Sequence, residues 1–319
     1  MNSFAENLVF SLNATVPIFI LMLLGTFFKK IKLFNEKMTA GMNTFVFKAA
    51  LPVLVFRDLA GQDFTEAWDT KFVVFCFSVT LLSTGMIALF AKFFINDKGR
   101  RGEFVQASYR SSAALLGIAF ITNIYGNSGM APLMIIACVP LYNIIAVIVL
   151  ELTADGGGNI DRRLIGKTLY GIITNPIILG IVAGMIFSLL KIPQTVIFKK
   201  TIDNLANLAT PMGLMAMGAS FDINKAKADS GLAVIAAVIK LVLLVVIFVP
   251  IAVLLGFRES ELVAILVMLG SATTVSCYVM AKNMGHEGTL TASAVMLTTL
   301  FSAFTLTLWL YILKSFALI

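Results

Sequence analysis

Residues 105–126, VQASYRSSAALLGIAFITNIYG, decide how the chain is read. The stretch is long enough to cross a bilayer, which takes about 20 residues of helix. Its first half nevertheless gathers Gln106, Ser108, Tyr109, Arg110, Ser111 and Ser112, and Thr122 and Asn123 follow near its end. A lipid-facing helix does not collect polar groups in this way, because each costs free energy in hydrocarbon unless it finds a partner. Arg110 alone costs about 2.5–3.5 kcal/mol near a helix centre on insertion scales. The segment makes sense where it lines a cavity inside protein. Residues 264–285 match it, with Ser271, Thr273, Thr274, Ser276, Tyr278 and Lys282. The rest of the chain reads as scaffolding around these two stretches.

The 319 residues are 59% hydrophobic and only 13% charged, with a mean hydropathy of +0.95. Soluble domains carry about 25% charged residues, so the chain is an all-α polytopic membrane protein. Ten spans fit: 8–28, 38–60, 72–94, 104–125, 130–150, 164–190, 202–221, 232–255, 261–284 and 290–313. The net charge of +7 does not point to nucleic acid. The lysines and arginines lie in short connections between apolar runs, as the positive-inside rule produces. Odd-numbered connections hold fourteen of them and the opposite side seven, which places the odd connections in the cytoplasm and both termini outside the cell membrane. Glu6 in place of a basic n-region, with Lys29 and Lys30 closing the first apolar run, argues against a cleavable signal peptide. Cys76, Cys138 and Cys277 lie singly in apolar runs and read as packing residues.

An ungapped offset of 159 residues pairs Pro17 with Pro176, Gly25 with Gly184, Phe28 with Phe187, Lys32 with Lys191, Pro52 with Pro211, Ser112 with Ser271, Gly126 with Gly285 and Gly129 with Gly288. Proline and glycine matches carry weight because each fixes a special backbone feature. The division is residues 1–151 as one five-helix repeat, 152–163 as a cytoplasmic linker holding the glycine run 156–158, and 164–319 as the second repeat. Five spans per repeat force the second copy to enter from the opposite side, an inverted 5+5 arrangement of the kind secondary transporters use. Substrates of such folds sit near the midplane at interrupted helices. Gly117 permits a break in span four. Span nine has no glycine or proline between Ser271 and Met284, so hydroxyl side chains and neighbouring helices must satisfy any freed backbone groups there.

The buried charge is positive: Lys48, Arg110 and Lys240 lie within spans, and no Asp or Glu lies deep in one. A cation carrier ordinarily needs an intramembrane carboxylate, so the substrate is expected to be an anion. Arg110 with Ser111 and Ser112 reads as a carboxylate clamp, against the alternative of a residue snorkelling to the interface. Lys48, four residues before Pro52, needs water, a carbonyl or an anion, and both of the last two readings stay open. Lys240, before a wholly apolar run, reads as snorkelling or structural. Pro52 and Pro211 read as kinks or hinges in scaffold helices. His286, the only histidine, falls in a connection. No metal cluster, phosphate loop or nucleophile–base pair can be assembled, so no cofactor, metal or enzymatic activity is expected.

The chain resembles the auxin efflux carrier family, in the bacterial branch that includes malate-permease-like proteins, and through it the inverted-repeat fold of bile-acid/sodium symporters. The likeness rests on NTFVFKAALPVLVFRDLA (43–60), NPIILGIVAGMIFSLLKIP (175–193), ATPMGLMAMGASF (209–221), VMAKNMG (279–285) and MLTTLFSAFTLTLWL (296–310). The resemblance implies ten helices with crossed, broken helices four and nine, helices 1, 2, 6 and 7 as scaffold, the remainder as a moving transport domain, and a homodimer. Two departures matter. The family's Arg-Gly-Asn is Arg110-Ser111-Ser112 here, and its Gly-Leu-Pro is Gly117-Ile118-Ala119. In helix nine Ala272 or Thr273 stands where the family has proline. The expected function is alternating-access transport of a small organic anion, a carboxylate such as malate, with Arg110, Ser111, Ser112, Lys48, Ser271, Thr273, Thr274 and Ser276 as substrate contacts and a proton or sodium as coupling ion. The alternatives are a sodium-coupled or auxin-like weak-acid carrier and, in another class, a ligand sensor that moves nothing.

Overall fold

A computed structural model describes residues 2–61, 68–113, 121, 124–125, 129–154, 170–171 and 173–319, and the regular structure among them is entirely helical. Gly117, Thr122, Asn123 and the linker residues from 155 onward lie outside the described residues. The helices are α1 (Asn2–Lys30), α2 (Glu36–Ala60), α3 (Thr70–Phe94), α4 (Lys98–Tyr109), α5 (Ala131–Thr153), α6 (Pro176–Leu189), α7 (Val196–Asn207), α8 (Ala209–Ser220), α9 (Ile223–Ala228), α10 (Ser230–Leu254), α11 (Glu259–Gly270), α12 (Ser276–Asn283) and α13 (Thr289–Ser315). Five of them, α2, α3, α5, α10 and α13, are long and apolar enough to cross a membrane. The 29-residue α1 and the shorter apolar α6 accompany them.

Several helix starts are written in the sequence. Asn35, Asp69, Asp97 and Thr195 each accept a backbone N–H from the first turn of the helix they precede, and Asn175 does so beside Pro176. The prolines act as expected on their helices. Pro52 has no N–H to offer the carbonyl four residues back, and the turn before it, Val46–Ala50, is π-helical. Pro211 stands just inside α8, and the span expected at 202–221 is broken at Leu208 into α7 and α8. A second π-helical turn, Ile239–Leu243, interrupts α10 and carries Lys240.

Two glycine-lined seams hold α1 against α8 and the second half of α2 against α6. A Cβ built on Gly25 or Gly218 would strike the backbone of Met215 or Met22, and one on Gly180 or Gly184 would strike that of Pro52 or Phe56. Small residues permit this backbone approach, which supplies dispersion contacts where lipid gives no hydrophobic drive. The two seams are related by the 159-residue spacing: Gly25 meets Met215 as Gly184 meets Phe56. The same spacing relates two residues with positive φ at helix ends, Lys32 (63°) and Lys191 (47°). Lys32 N–H donates to Lys29 O and Lys191 N–H to Ser188 O.

The connections gather at two ends of the bundle. At one end, His286 places its ring nitrogens 3.2 Å from Gly99 O and 2.9 Å from Leu150 O, and Arg100 pairs with Asp229 at 3.0 Å. These contacts join the third, seventh and ninth connections and the last turn of α5. At the other end Lys71 Nζ donates to Leu255 O, Gln194 to Ala60 O and Glu259 N–H to Leu318 O.

Candidate substrate site at two helix interruptions

Both polar stretches are interrupted helices. α4 ends at Tyr109, and Arg110 takes up extended backbone geometry (φ −73°, ψ 136°). α11 ends at Gly270, and helix resumes with α12 only at Ser276. The two gaps are joined backbone to backbone, Ser112 N–H donating to Ala272 O at 2.9 Å. These two positions are nearly equivalent in the 159-residue register.

An interrupted helix leaves its last carbonyls without amide partners, and inside a membrane each must find another donor. Here each gap supplies the other. Ser111, in the first gap, donates its hydroxyl to Met268 O near the end of α11. Thr273, in the second, donates to Ala107 O near the end of α4 at 2.8 Å. Thr273 N–H is in turn satisfied by Thr298 Oγ1 of α13 at 3.0 Å. Hydroxyls therefore do the work that sequence alone assigned to them in span nine. Tyr142 adds a second hydroxyl to Met268 O at 3.2 Å, and Tyr109 donates to Tyr142 O at 2.9 Å.

Lys240 is completely buried and donates to Met268 O at 3.1 Å and Leu269 O at 2.5 Å. A helix C-terminus carries about −0.5 charge, so this ammonium is spent on the end of α11. It has a structural role and does not snorkel. Arg110 is different. Its side chain, 2% exposed, donates to Asn143 Oδ1 at 2.8 Å and Ser276 Oγ at 2.9 Å and touches Met280 Sδ at 2.9 Å, all neutral groups. Nε has no partner among the described residues. The guanidinium meets the first turn of α12, where the helix dipole adds positive character. Ser276 also donates to Thr274 Oγ1 at 3.2 Å, and Ser271 Oγ is buried without a partner among the described residues.

The structure thus brings together Arg110, Ser111, Ser112, Ser271, Thr273, Thr274 and Ser276. Ser112 and Thr274 are partly exposed and the others buried. Lys48 is not joined to them: it lies on the exposed side of the π-turn of α2. Pro52 and Pro211 shape α2 and α8 and lie in neither gap, although α8 packs against the second one, where Gly213 faces Val275; Gly117 lies outside the described residues. Sequence reading missed Asn143, Gln106, Lys240's carbonyl contacts and Met268. Asn143 offered a signal, as a lone amide beside Tyr142 in the apolar run of α5. Among the described residues no group of acidic, histidine or cysteine side chains could hold a metal. The buried carboxylate of Glu103 is committed elsewhere, accepting from Gly288 N–H at 2.7 Å and Thr291 N–H at 3.0 Å at the start of α13.

The family model described as "Membrane transport protein" matches residues 10–310. A protein of Rhizobium meliloti (strain 1021) named "Putative malonate transporter" is 25% identical over 316 residues, which cover 95% of this chain and 96% of the relative. The match spans both interruptions and both glycine seams, and the chain belongs to the auxin efflux carrier family of membrane transport proteins.

Proposed function

We propose that this transporter carries a small carboxylate, of the kind the rhizobial relative's name indicates, by alternating access around the paired interruptions. The observation that carries this reading is Arg110: a buried cation whose contacts are all neutral, seated against a helix N-terminus. Such a centre is complementary to a carboxylate. Ser271, Thr274 and Ser276 supply hydroxyls on the same stretch. The shared 159-residue geometry supports an inverted repeat of 1–151 and 164–319, with 152–163 between them. The glycine seams support a rigid scaffold of α1, α2, α6, α7 and α8, against which the element bearing α4, α11 and α12 moves as an elevator. The clustering of the odd-numbered connections, together with their basic residues, supports a cytoplasmic placement for that end and both termini outside the cell membrane. A homodimer through the scaffold is the expected assembly.

Proteoliposomes loaded on one side test this. The reading predicts saturable uptake and counterflow of malonate or a neighbouring small carboxylate, with no comparable flux of a cationic solute. Tight carboxylate binding without counterflow identifies a sensor instead. Flux that requires sodium identifies the coupling ion.

A further inference from the structure

We propose that Gln106 is a substrate-contacting residue that accepts a hydrogen bond from the ligand, so that the site takes a monoanion bearing both a carboxylate and a donor, such as a singly protonated dicarboxylate. This rests on the anion reading of Arg110 given above. Gln106 is completely buried on the last turns of α4. Its Nε2 donates to Cys277 O at 2.9 Å. A carbonyl can only accept, so this contact fixes which end of the amide is nitrogen. Oε1 is then left buried with no partner among the described residues. Four residues on, Arg110 Nε is a buried donor equally without a partner. Both side chains reach the first turn of α12, Gln106 at Cys277 and Arg110 at Ser276. Of two side chains held on the same helical turn, one therefore carries an unused acceptor and the other an unused donor.

A buried polar atom left unpaired carries a desolvation penalty that a matching ligand removes. A carboxylate oxygen satisfies Arg110 Nε. Gln106 Oε1 requires a donor, which a dianion lacks. The second negative charge of a dianion also finds no free buried cation among the described residues, because Lys240 is already donating to Met268 O and Leu269 O. A carboxylic acid proton or an amide N–H on the ligand meets both needs. Where the donor is an acid proton, the substrate brings its own proton into the membrane, and proton coupling needs no titrating side chain. Cys277 on α12, whose thiol donates to Gln106 O, and Tyr109 on α4 are the titratable groups beside Gln106 and Arg110; beyond them Tyr142 on α5 and Lys240 on α10 both donate to Met268 O, with Cys138 of α5 beside Tyr142.

Ligand chemistry separates substrate protonation from titration of those groups. Purified full-length protein is titrated with malonate, its half-amide and its methyl half-ester, below and above malonate's second ionisation, with ligand-induced thermal stabilisation as readout. All three carry a carboxylate. The half-amide carries a donor at every pH and the half-ester never does. We expect the half-amide to bind about tenfold more tightly than the half-ester at both pH values, one hydrogen bond's worth. Malonate should match the half-amide at low pH and weaken at high pH. Gln106→Met should bring the half-amide and half-ester to similar affinity. Equal binding of half-amide and half-ester by the wild type, or malonate binding that strengthens as pH rises, overturns the proposal and leaves the anion reading standing. Binding of none of the three overturns both.

Discussion

The glycine seams and the paired interruptions are both sites of close helix contact, and they are held together in opposite ways. Along the seams, backbone meets backbone across Gly25, Gly218, Gly180 and Gly184, with no room for a Cβ. At the interruptions a single backbone bond, Ser112 N–H to Ala272 O, is surrounded by side-chain contacts: Ser111, Thr273, Tyr142 and Lys240 each donate to a carbonyl near a helix end. A seam of fixed backbone atoms has one good arrangement. A set of hydroxyls and one ammonium on carbonyls freed at helix ends can exchange partners, with water or a ligand taking over a bond as it breaks. The contrast supports the proposed rigid scaffold and binding region, and it makes the two regions respond differently to substitution.

The largest effect is expected in a seam. Gly218→Val places side-chain atoms on the backbone of Met22 and should lower stability by about 3 kcal/mol or more, read as loss of a monodisperse, cooperatively melting protein. A stable, active Gly218→Val protein would show that the seam yields. Next is Lys240→Met, which fills similar volume but takes the side-chain donor from Leu269 O and one of three from Met268 O, which keeps Ser111 and Tyr142. A loss of about 2 kcal/mol is expected, together with reduced uptake, because Met268 O also anchors Ser111. Thr273→Val removes one hydroxyl bond to Ala107 O while keeping the branched shape, and should cost about 1 kcal/mol. Smallest is Lys48→Gln. Exposed and outside the cluster, it should change stability by less than about 0.5 kcal/mol and leave uptake unaltered. Abolished uptake in that variant would extend the site to α2.

Much of this was legible in the chain. Hydroxyls packed into two apolar stretches marked the interruptions, since few other structures give so many polar groups partners within a bilayer. Helix starts carried a signal in the capping Asn, Asp or Thr itself, as at Asn35, Asp69, Asp97 and Thr195. Prolines marked where two helices would depart from regularity, but a kink was expected at each: the π-turn before Pro52 and the break at Leu208 within the span drawn at 202–221 were not foreseen. Partner identity was not legible: Arg110 meets Asn143 and Ser276 across 33 and 166 residues, and only packing sets those distances. Lys48 shows the other limit. With apolar neighbours on every side, as in AALPVLVF after it, periodicity does not say which face turns inward, and a mid-span lysine resembles a buried one until the helix is placed. Gln106 was visible only as one polar residue among six. Its free acceptor depends on the carbonyl of Cys277, 171 positions away.

The centre of the account is the guanidinium between the two interruptions, and carboxylate binding to Arg110 variants addresses it most directly. Malonate titrations of wild type, Arg110→Lys and Arg110→Ala, each first shown to melt cooperatively, should give binding by the wild type, weaker binding by Arg110→Lys, which keeps the charge without the fork of donors, and a loss of about 10- to 100-fold in Arg110→Ala. Binding of undiminished strength by a folded Arg110→Ala protein would contradict the account and move the anion site away from the interruptions.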